Sequence, residues 1–489
     1  MDEDSTLSAD TPATTTAEPD AQSQIGLTLL WHPDVRRVGD RIGFAADMTA
    51  LSRRSPDFYD RAGQPTGPLA DQHVSRTPLV FVCHAHAIEV SGRAVVDGVR
   101  LNGSITLDKA RLVEGVVIEI AQRIVALLHH VPRRPAGGPT HGLVGDSHAI
   151  RRLRRALTQA ALATVPVLLH GETGSGKAAA AQAIHAASAR SDGPFRAVNV
   201  AAVPVESAKA AFFGHARGAF AGAEVAHPGY FGESHHGTLF LDDIDRLPAA
   251  LQPMVLQAIE AGEVQAVGDH RARPADVRVI AAAGDGLARA VSAGAFSPAL
   301  LYRLASLEVR VPPLRARRDD IPRLLLLGLE RELSRLGAID RLRPPEPRPQ
   351  MWLGASLVAL LCRHDWPGNV RELLNIARQI ALAGFARDEV SADDVPALGR
   401  LGPAAILTEL LQGEPPRRAV RTSPPLVGPV EVTDVDPTDA DPVLTEHSVL
   451  DALRRCDWSI VSAAAELGVA KSTLYRFVTE TRIVRKARE

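Results

Sequence analysis

Gly171-Glu172-Thr173-Gly174-Ser175-Gly176-Lys177 combines three glycines with a closing lysine. That composition suits the holding of a phosphate chain: the glycines let backbone N–H groups turn inward, and Lys177 adds a point charge. An apolar run (Val165, Val167, Leu168, Leu169) precedes it and an alanine-rich stretch follows. The order is strand, loop, helix, and the helix N-terminus adds positive potential. Ala178 stands where a hydroxyl would hold Mg²⁺, so water or another group must replace it. Downstream, Thr238 to Leu241 reads as a buried strand ending in Asp242 and Asp243, whose carboxylates suit holding Mg²⁺ and polarising water. Surface turns share the loop's composition, but loop and acid-ended strand together point to nucleotide binding with Mg²⁺.

A chain of 489 residues exceeds one hydrophobic core and predicts three or four domains. The net charge of −2 gives no global attraction to polyanions, so any nucleic-acid contact must be local. Cys83, Cys362 and Cys456 lie far apart without metal-ligand spacing, which fits a reducing cytoplasm. The first residues are acidic and lack the apolar core of a signal peptide. No apolar run is long enough to span a bilayer.

In chain order, residues 1–24 have nothing to bury and read as a disordered tail. From 25 to 131, short apolar runs at Leu27 to Trp31, Arg41 to Phe44, Leu79 to Val82, Ala87 to Val90, Val99 to Leu101, Val116 to Ile120 and Ile124 to Leu128 predict a β-sandwich. His84 and His86 are expected to share a strand face, without a third ligand for a metal. Residues 132–140 are a linker. Alternating strand and helix patterns over 141–318 predict a parallel α/β domain, and helical periods over 319–398 a small lid. A Pro- and Asp-rich linker spans 399–444. Residues 445–489 are helical and locally basic, and a glycine turn before Lys471, Ser472, Thr473, Tyr475 and Arg476 suits a helix entering a DNA groove. A helical dimerisation module with a solvated charged face is the alternative.

The central block resembles the AAA+ domain of sigma-54-dependent enhancer-binding regulators, the NtrC-like family. The matching segments are Gly171 to Lys177, Gly218-Ala219-Phe220-Ala221-Gly222-Ala223, Gly237 to Asp242, Asp276 to Ala281, Val311-Pro312-Pro313-Leu314-Arg315, and Trp366 to Leu373. The C-terminal unit resembles a Fis-type helix-turn-helix. The N-terminal region is similar to a forkhead-associated (FHA) domain, with Arg53 after the second strand, Ser75-Arg76 in a loop, Asp97-Gly98, and Leu101-Asn102-Gly103. The resemblance implies a multidomain regulator that binds ATP, DNA and sigma-54 RNA polymerase holoenzyme as a homo-oligomer, from dimer to hexamer, and that takes a phosphothreonine protein at Arg53, Ser75 and Arg76. Pro78 and Asp97 depart from the FHA pattern, which has histidine and asparagine there.

Carried onto this sequence, the resemblance places Val144 and Gly145 against adenine, Gly174, Gly176 and Lys177 on phosphate, and Mg²⁺ on Asp242. It makes Arg371 the lid's sensor of the γ-phosphate and Asn199 the polar partner of the Walker B acid, with Arg303 one of two fingers offered to a neighbouring subunit. The departures cluster in the chemistry. Asp243 replaces a glutamate, Ala283-Gly284 a Thr-Asn pair, Ser297 the second arginine finger, and Ala221 the threonine of the sigma-contact loop. A side chain shorter by a methylene displaces the base, and about an ångström of misplacement can cost on the order of 10²-fold in rate. Three readings follow: a regulator for which nucleotide is mainly an assembly ligand, a hydrolysing sigma-54 activator, and a phosphopeptide-binding adaptor.

Overall fold

The computed structural model describes residues 23–44, 47–101, 103–133, 139–342 and 351–395, with Val449 and Leu467. The chain divides into one unit from Met1 to Glu414 and another from Pro415 to Glu489. Residues 1–22 of the tail predicted at 1–24, the linker from 399, Asn102, and the DNA-reading residues Lys471, Ser472, Thr473, Tyr475 and Arg476 lie outside the described residues, whereas Ser23 and Gln24 already belong to the first strand, paired with Pro132 and Val131.

Two antiparallel sheets stack between Ser23 and Pro132. The larger runs Pro65–Gly67, Phe58–Tyr59, Arg41–Gly43, Ser23–Trp31, Ile124–Pro132, Val116–Ile120, Val95–Val96, Val99–Arg100, and the smaller Gly103–Asp108, Ala87–Gly92, Leu79–Cys83, Met48–Leu51. Leu27, Leu29, Phe58, Phe81, Val90, Ile118 and Leu128 fill the space between them. Met48–Leu51, Phe58–Tyr59, Pro65–Gly67, Val95–Val96 and Gly103–Asp108 were not expected, being too short or too polar to show a period. Arg53 therefore follows the third strand, not the second. His84 and His86 fall in the turn between Leu79–Cys83 and Ala87–Gly92, so strand alternation does not apply to them. No described group of three His, Cys, Asp or Glu side chains could hold a metal ion.

The second layer system is a five-stranded parallel sheet in the order Phe195–Asn199, Thr238–Asp242, Arg278–Ala283, Val167–His170, Glu308–Arg310. Its strands are near-continuous apolar runs because helices cover both faces. Leu168, Leu239, Leu241 and Ala281 pack on one side with Phe212, Val255 and Leu300, and Val167, Leu169, Phe240 and Ile280 on the other with Leu153, Leu157 and Ile184. Helices Ile321–Arg335, Ala355–Arg363 and Asn369–Gly384 form the lid. No described helix is long and apolar enough to cross a membrane.

The sandwich and the lid share one core. Along Val116–Ile120 and Ile124–Leu128, alternate residues point opposite ways, yet both sets are apolar. Val116, Ile118, Ile124 and Ala126 face the other sheet, whereas Val117, Val125 and Leu127 join Leu30, Trp31 and Val38 against Leu325, Leu329, Trp352, Leu357 and Leu361 of the lid. Trp31 Nε1 donates to Leu353 O at 3.2 Å, and Arg363 pairs with Glu119 at 3.2 Å. Leu30→Ala is therefore expected to cost about 2–5 kcal/mol and to lower amide-exchange protection in helix Ala355–Arg363. Loss of protection confined to the sandwich would contradict the shared core.

Candidate functional site

Strand Val167–His170 runs into the glycine loop, and helix Lys177–Ala186 begins at the lysine. Gly174 (φ 75°) and Gly176 (φ 111°) are left-handed, and a Cβ on Gly174 would lie 2.3 Å from Gly368 O. Only glycine tolerates both the angle and the approach. Lys177 is buried, and its Nζ donates to Gly171 O at 2.8 Å and Glu172 O at 3.2 Å. Ser175 Oγ is buried without a hydrogen-bond partner, and open space faces Gly176. An orphaned hydroxyl and a poised lysine beside an open backbone turn fit a phosphate chain. Thr173 and Ala178 are exposed, and Ala178 brings no hydroxyl.

Asp242 ends its strand in register with Asn199. Asp243 adopts a left-handed conformation (φ 55°, ψ 48°), its N–H donating to Asp242 Oδ1 at 3.1 Å, and Asn199 Nδ2 donates to Asp243 Oδ2 at 3.1 Å. Burial, with repulsion from Asp243, raises the Asp242 carboxyl above the ordinary range, while Lys177 and Arg371 oppose the shift. A divalent cation here would relieve that repulsion. On the intervening strand, Ala283 is buried and its carbonyl accepts from Gly171 N at 3.3 Å, while nothing lies within 4 Å of a Cβ placed on Gly284. Ser297 caps helix Pro298–Leu304, accepting from Leu300 N at 3.4 Å, and Arg303 is exposed in the last turn of that helix.

Residues Leu314–Asp320 tie these pieces together. Arg315 grips Glu172 with two hydrogen bonds of 2.5 and 2.8 Å, holding that carboxylate below its usual pKa. Arg317 Nη2 donates to Ser175 O at 2.8 Å. Asp320 accepts from Asp146 N at 2.6 Å, Ser147 N at 2.9 Å and Ser147 Oγ at 2.6 Å. Gly145 (φ 120°) is needed because a Cβ there would lie 2.4 Å from the Asp320 carboxyl carbon, and Val144 packs on the lid core. Buried Asn369, at the start of the last lid helix, accepts from Leu314 N at 2.7 Å and donates to Glu172 Oε2 and Thr173 O, each at 3.1 Å. Val370 N donates to Gly174 O at 3.0 Å, and a Cβ on Gly174 would stand 3.1 Å from that of Arg371. Sequence reading missed these roles of Glu172, Arg315, Arg317 and Asn369, whose partners lie up to 197 positions away.

The loop Gly218, Ala219, Phe220, Ala221, Gly222, Ala223 closes through Gly218 N to Ala223 O at 2.7 Å, with Phe220 49% exposed and its ring 4.9 Å from that of His215. In the sandwich, Arg53 lines an open hollow with Arg54, Pro68, Ala70 and Gln72. Ser75 and Arg76 are exposed but do not line it, and Ser75 Oγ accepts from Thr77 N at 3.1 Å. Asp97 is a turn anchor: its carboxylate pairs with Arg111 at 2.8 Å and accepts from Val117 N at 2.9 Å.

Asn369 has φ 54°, a value asparagine tolerates better than most residues. Asn369→Ala would strand the Leu314 N–H and leave Glu172 Oε2 and Thr173 O without their donor, so a loss of about 1–3 kcal/mol in stability is expected, with weaker nucleotide binding. Unchanged melting and binding would show that the lid does not brace the phosphate loop.

Residues 143–310 match the family model of the sigma-54 interaction domain, and residues 315–400 that of an AAA+ ATPase lid domain. The DNA-binding transcriptional regulator NtrC of Escherichia coli K12 is 33% identical over 353 residues, covering 70% of this chain and 71% of that protein. The nitric oxide reductase transcription regulator NorR1 of Cupriavidus necator is 34% identical over 459 residues, covering 88% and 83%. A crystal structure of NtrX from Brucella abortus in complex with ADP aligns at 26% identity over 70% of this chain and 69% of that one, with a TM-score of 0.47. With its glycine loop, acid-ended strand and lid, this chain belongs to the family of sigma-54-interacting transcriptional regulators built on an AAA+ domain.

Proposed function

We propose that this protein is a cytoplasmic transcription regulator in which ATP or ADP, with Mg²⁺ at Asp242, acts mainly as a ligand that fixes subunit assembly, turnover being slow. The observation that carries this reading is the contrast within one site. The phosphate loop is braced at Glu172, Gly174 and Ser175, whereas the groups that would act on water are reduced. Asp243 is short and tied to Asn199, Ala283-Gly284 offers no side-chain polar group, and Ser297 serves as a helix cap. Nucleotide at about a hundred times Kd stabilises the bound form by roughly 2.7 kcal/mol without hydrolysis. Bound Mg²⁺ would supply charge neutralisation at the phosphates. Gly174, Gly176, Lys177 and Arg371 would orient them, and Val144 and Gly145 would border the base.

Output would pass through Phe220 and the loop around it toward sigma-54 holoenzyme, with Ala221 lacking a hydroxyl, and through Lys471, Ser472, Thr473, Tyr475 and Arg476 toward DNA. A second reading, a hydrolysing activator, is favoured by exposed Arg303, free to reach a neighbouring subunit. The FHA-like reading of the sandwich, with a phosphothreonine protein as ligand, is supported by Arg53 and Arg54 at one hollow. Ser75 and Arg76 would have to join them on binding.

Nucleotide titration beside steady-state turnover of the full chain separates the first two readings. Tight binding with turnover well below about 1 s⁻¹, rising at least tenfold in Asp243→Glu, is expected. Turnover of about 1 s⁻¹ or more in the unaltered chain would replace this reading with the second. For the tail, Arg476→Ala should weaken a specific DNA site more than random duplex, and equal losses would assign Arg476 to phosphate contact.

A further inference from the structure

The sandwich reaches the nucleotide site through arginines. Asp146, directly after Gly145, is almost fully buried, and Arg61 from the sandwich places Nε 3.0 Å from its Oδ1. Arg154 stands 3.5 Å from the same oxygen, and lid residue Arg323 binds the other. Arg41, also of the sandwich, donates from Nη2 to Asp146 O at 3.0 Å and lies 3.8 Å from Asp319. Arg323 crosses from the lid over Gly39 of the sandwich, where a Cβ would sit 2.4 Å from its guanidinium, and donates to Val38 O at 3.2 Å. Glycine at 39 and glycine at 145 thus leave room for side chains of other elements to meet around residues 144–147.

We propose that Arg61 is a positioning residue of the nucleotide site, so that the sandwich holds the base-side loop in place from outside the AAA+ domain. This rests on the reading that nucleotide lies in the glycine loop with its base toward Val144 and Gly145. Arg61 touches the loop through Asp146, whereas the phosphate loop is braced separately by Arg315, Arg317 and Asn369. The two ends of the ligand therefore answer to different sets of contacts: the base end to the sandwich together with Arg323 and Asp320, the phosphates to Arg315, Arg317 and Asn369 without the sandwich. By linkage, nucleotide also tightens the hold of the sandwich on the loop.

The test titrates the full chain, Arg61→Ala, Arg61→Lys and Arg36→Ala with ADP and, separately, with inorganic tripolyphosphate. Among the described residues Arg36 pairs only with its neighbour Asp34 on the sandwich surface, and it serves as control. Arg61→Ala is expected to weaken ADP about tenfold, within the usual range of coupling between sites, and to leave tripolyphosphate unchanged. Arg61→Lys should recover most of the loss, and ADP should slow amide exchange across residues 58–67 in the unaltered chain and in Arg36→Ala but not in Arg61→Ala. Equal weakening of both ligands would reduce Arg61 to general stability and overturn the proposal, as would unchanged ADP affinity in Arg61→Ala. Failure of the unaltered chain to bind either ligand would instead overturn the nucleotide reading itself.

Discussion

Three carboxylates, Asp146, Asp319 and Asp320, are withdrawn from water where sandwich, sheet domain and lid meet, and the surrounding structure must supply their donors. A buried ion left unpaired costs several kcal/mol, whereas an exposed pair is worth little. Here Arg323, the Ser147 hydroxyl and two backbone N–H groups donate hydrogen bonds, while Arg41, Arg61 and Arg154 supply opposite charge at 3.8, 3.0 and 3.5 Å. Burial raises the carboxyls of Asp319 and Asp320; repulsion from Asp146 adds to the first and repulsion from Asp319 to the second, lifting Asp320 to about 6. The acids therefore stay in place only while every contributing element is docked.

That requirement fixes the short segment Leu314–Asp320 and, with it, the phosphate loop. Arg315 and Arg317 extend from the segment that carries Asp319 and Asp320, and they hold Glu172 and Ser175. Asn369 holds the same segment at Leu314. The binding loop is consequently ordered by bonds reaching it from outside its own strand and helix, which lowers the cost of arranging it around a phosphate chain. No comparable support surrounds Asp243, whose side chain is held by Asn199 alone among the described hydrogen bonds. Pre-organisation is strong where the ligand would be held and sparse where water would be activated.

Sharing of a core between sandwich and lid has the same consequence at larger scale. Trp31, Val117, Val125 and Leu127 would expose a broad apolar face without the lid helices, and Leu325, Leu357 and Leu361 would do so without the sandwich. Apolar burial is non-directional but proportional to area, so each half completes the other's core. The ion pair Glu119 to Arg363 and the hydrogen bond from Arg323 to Val38 O then set the register of that contact.

What the sequence determined by itself was local. Gly171 to Lys177 must turn at its glycines and the run at Thr238 must end at Asp242, because such preferences act within a few residues. The helices at 321–335, 355–363 and 369–384 were legible from their period for the same reason. Short strands such as Phe58–Tyr59 were not, since two residues carry no period. The doubly apolar strands Val116–Ile120 and Ile124–Leu128 signalled burial on both faces without saying against what. Only the tertiary structure decided that the lid covers the second face, that Ser297 is a cap, that Asp97 anchors a turn, and that Glu172, Asn369, Arg61 and Asp146 serve one site. Partners separated by up to 322 positions are chosen by packing and by the need to neutralise buried charge, neither of which is written in the spacing of residues along the chain.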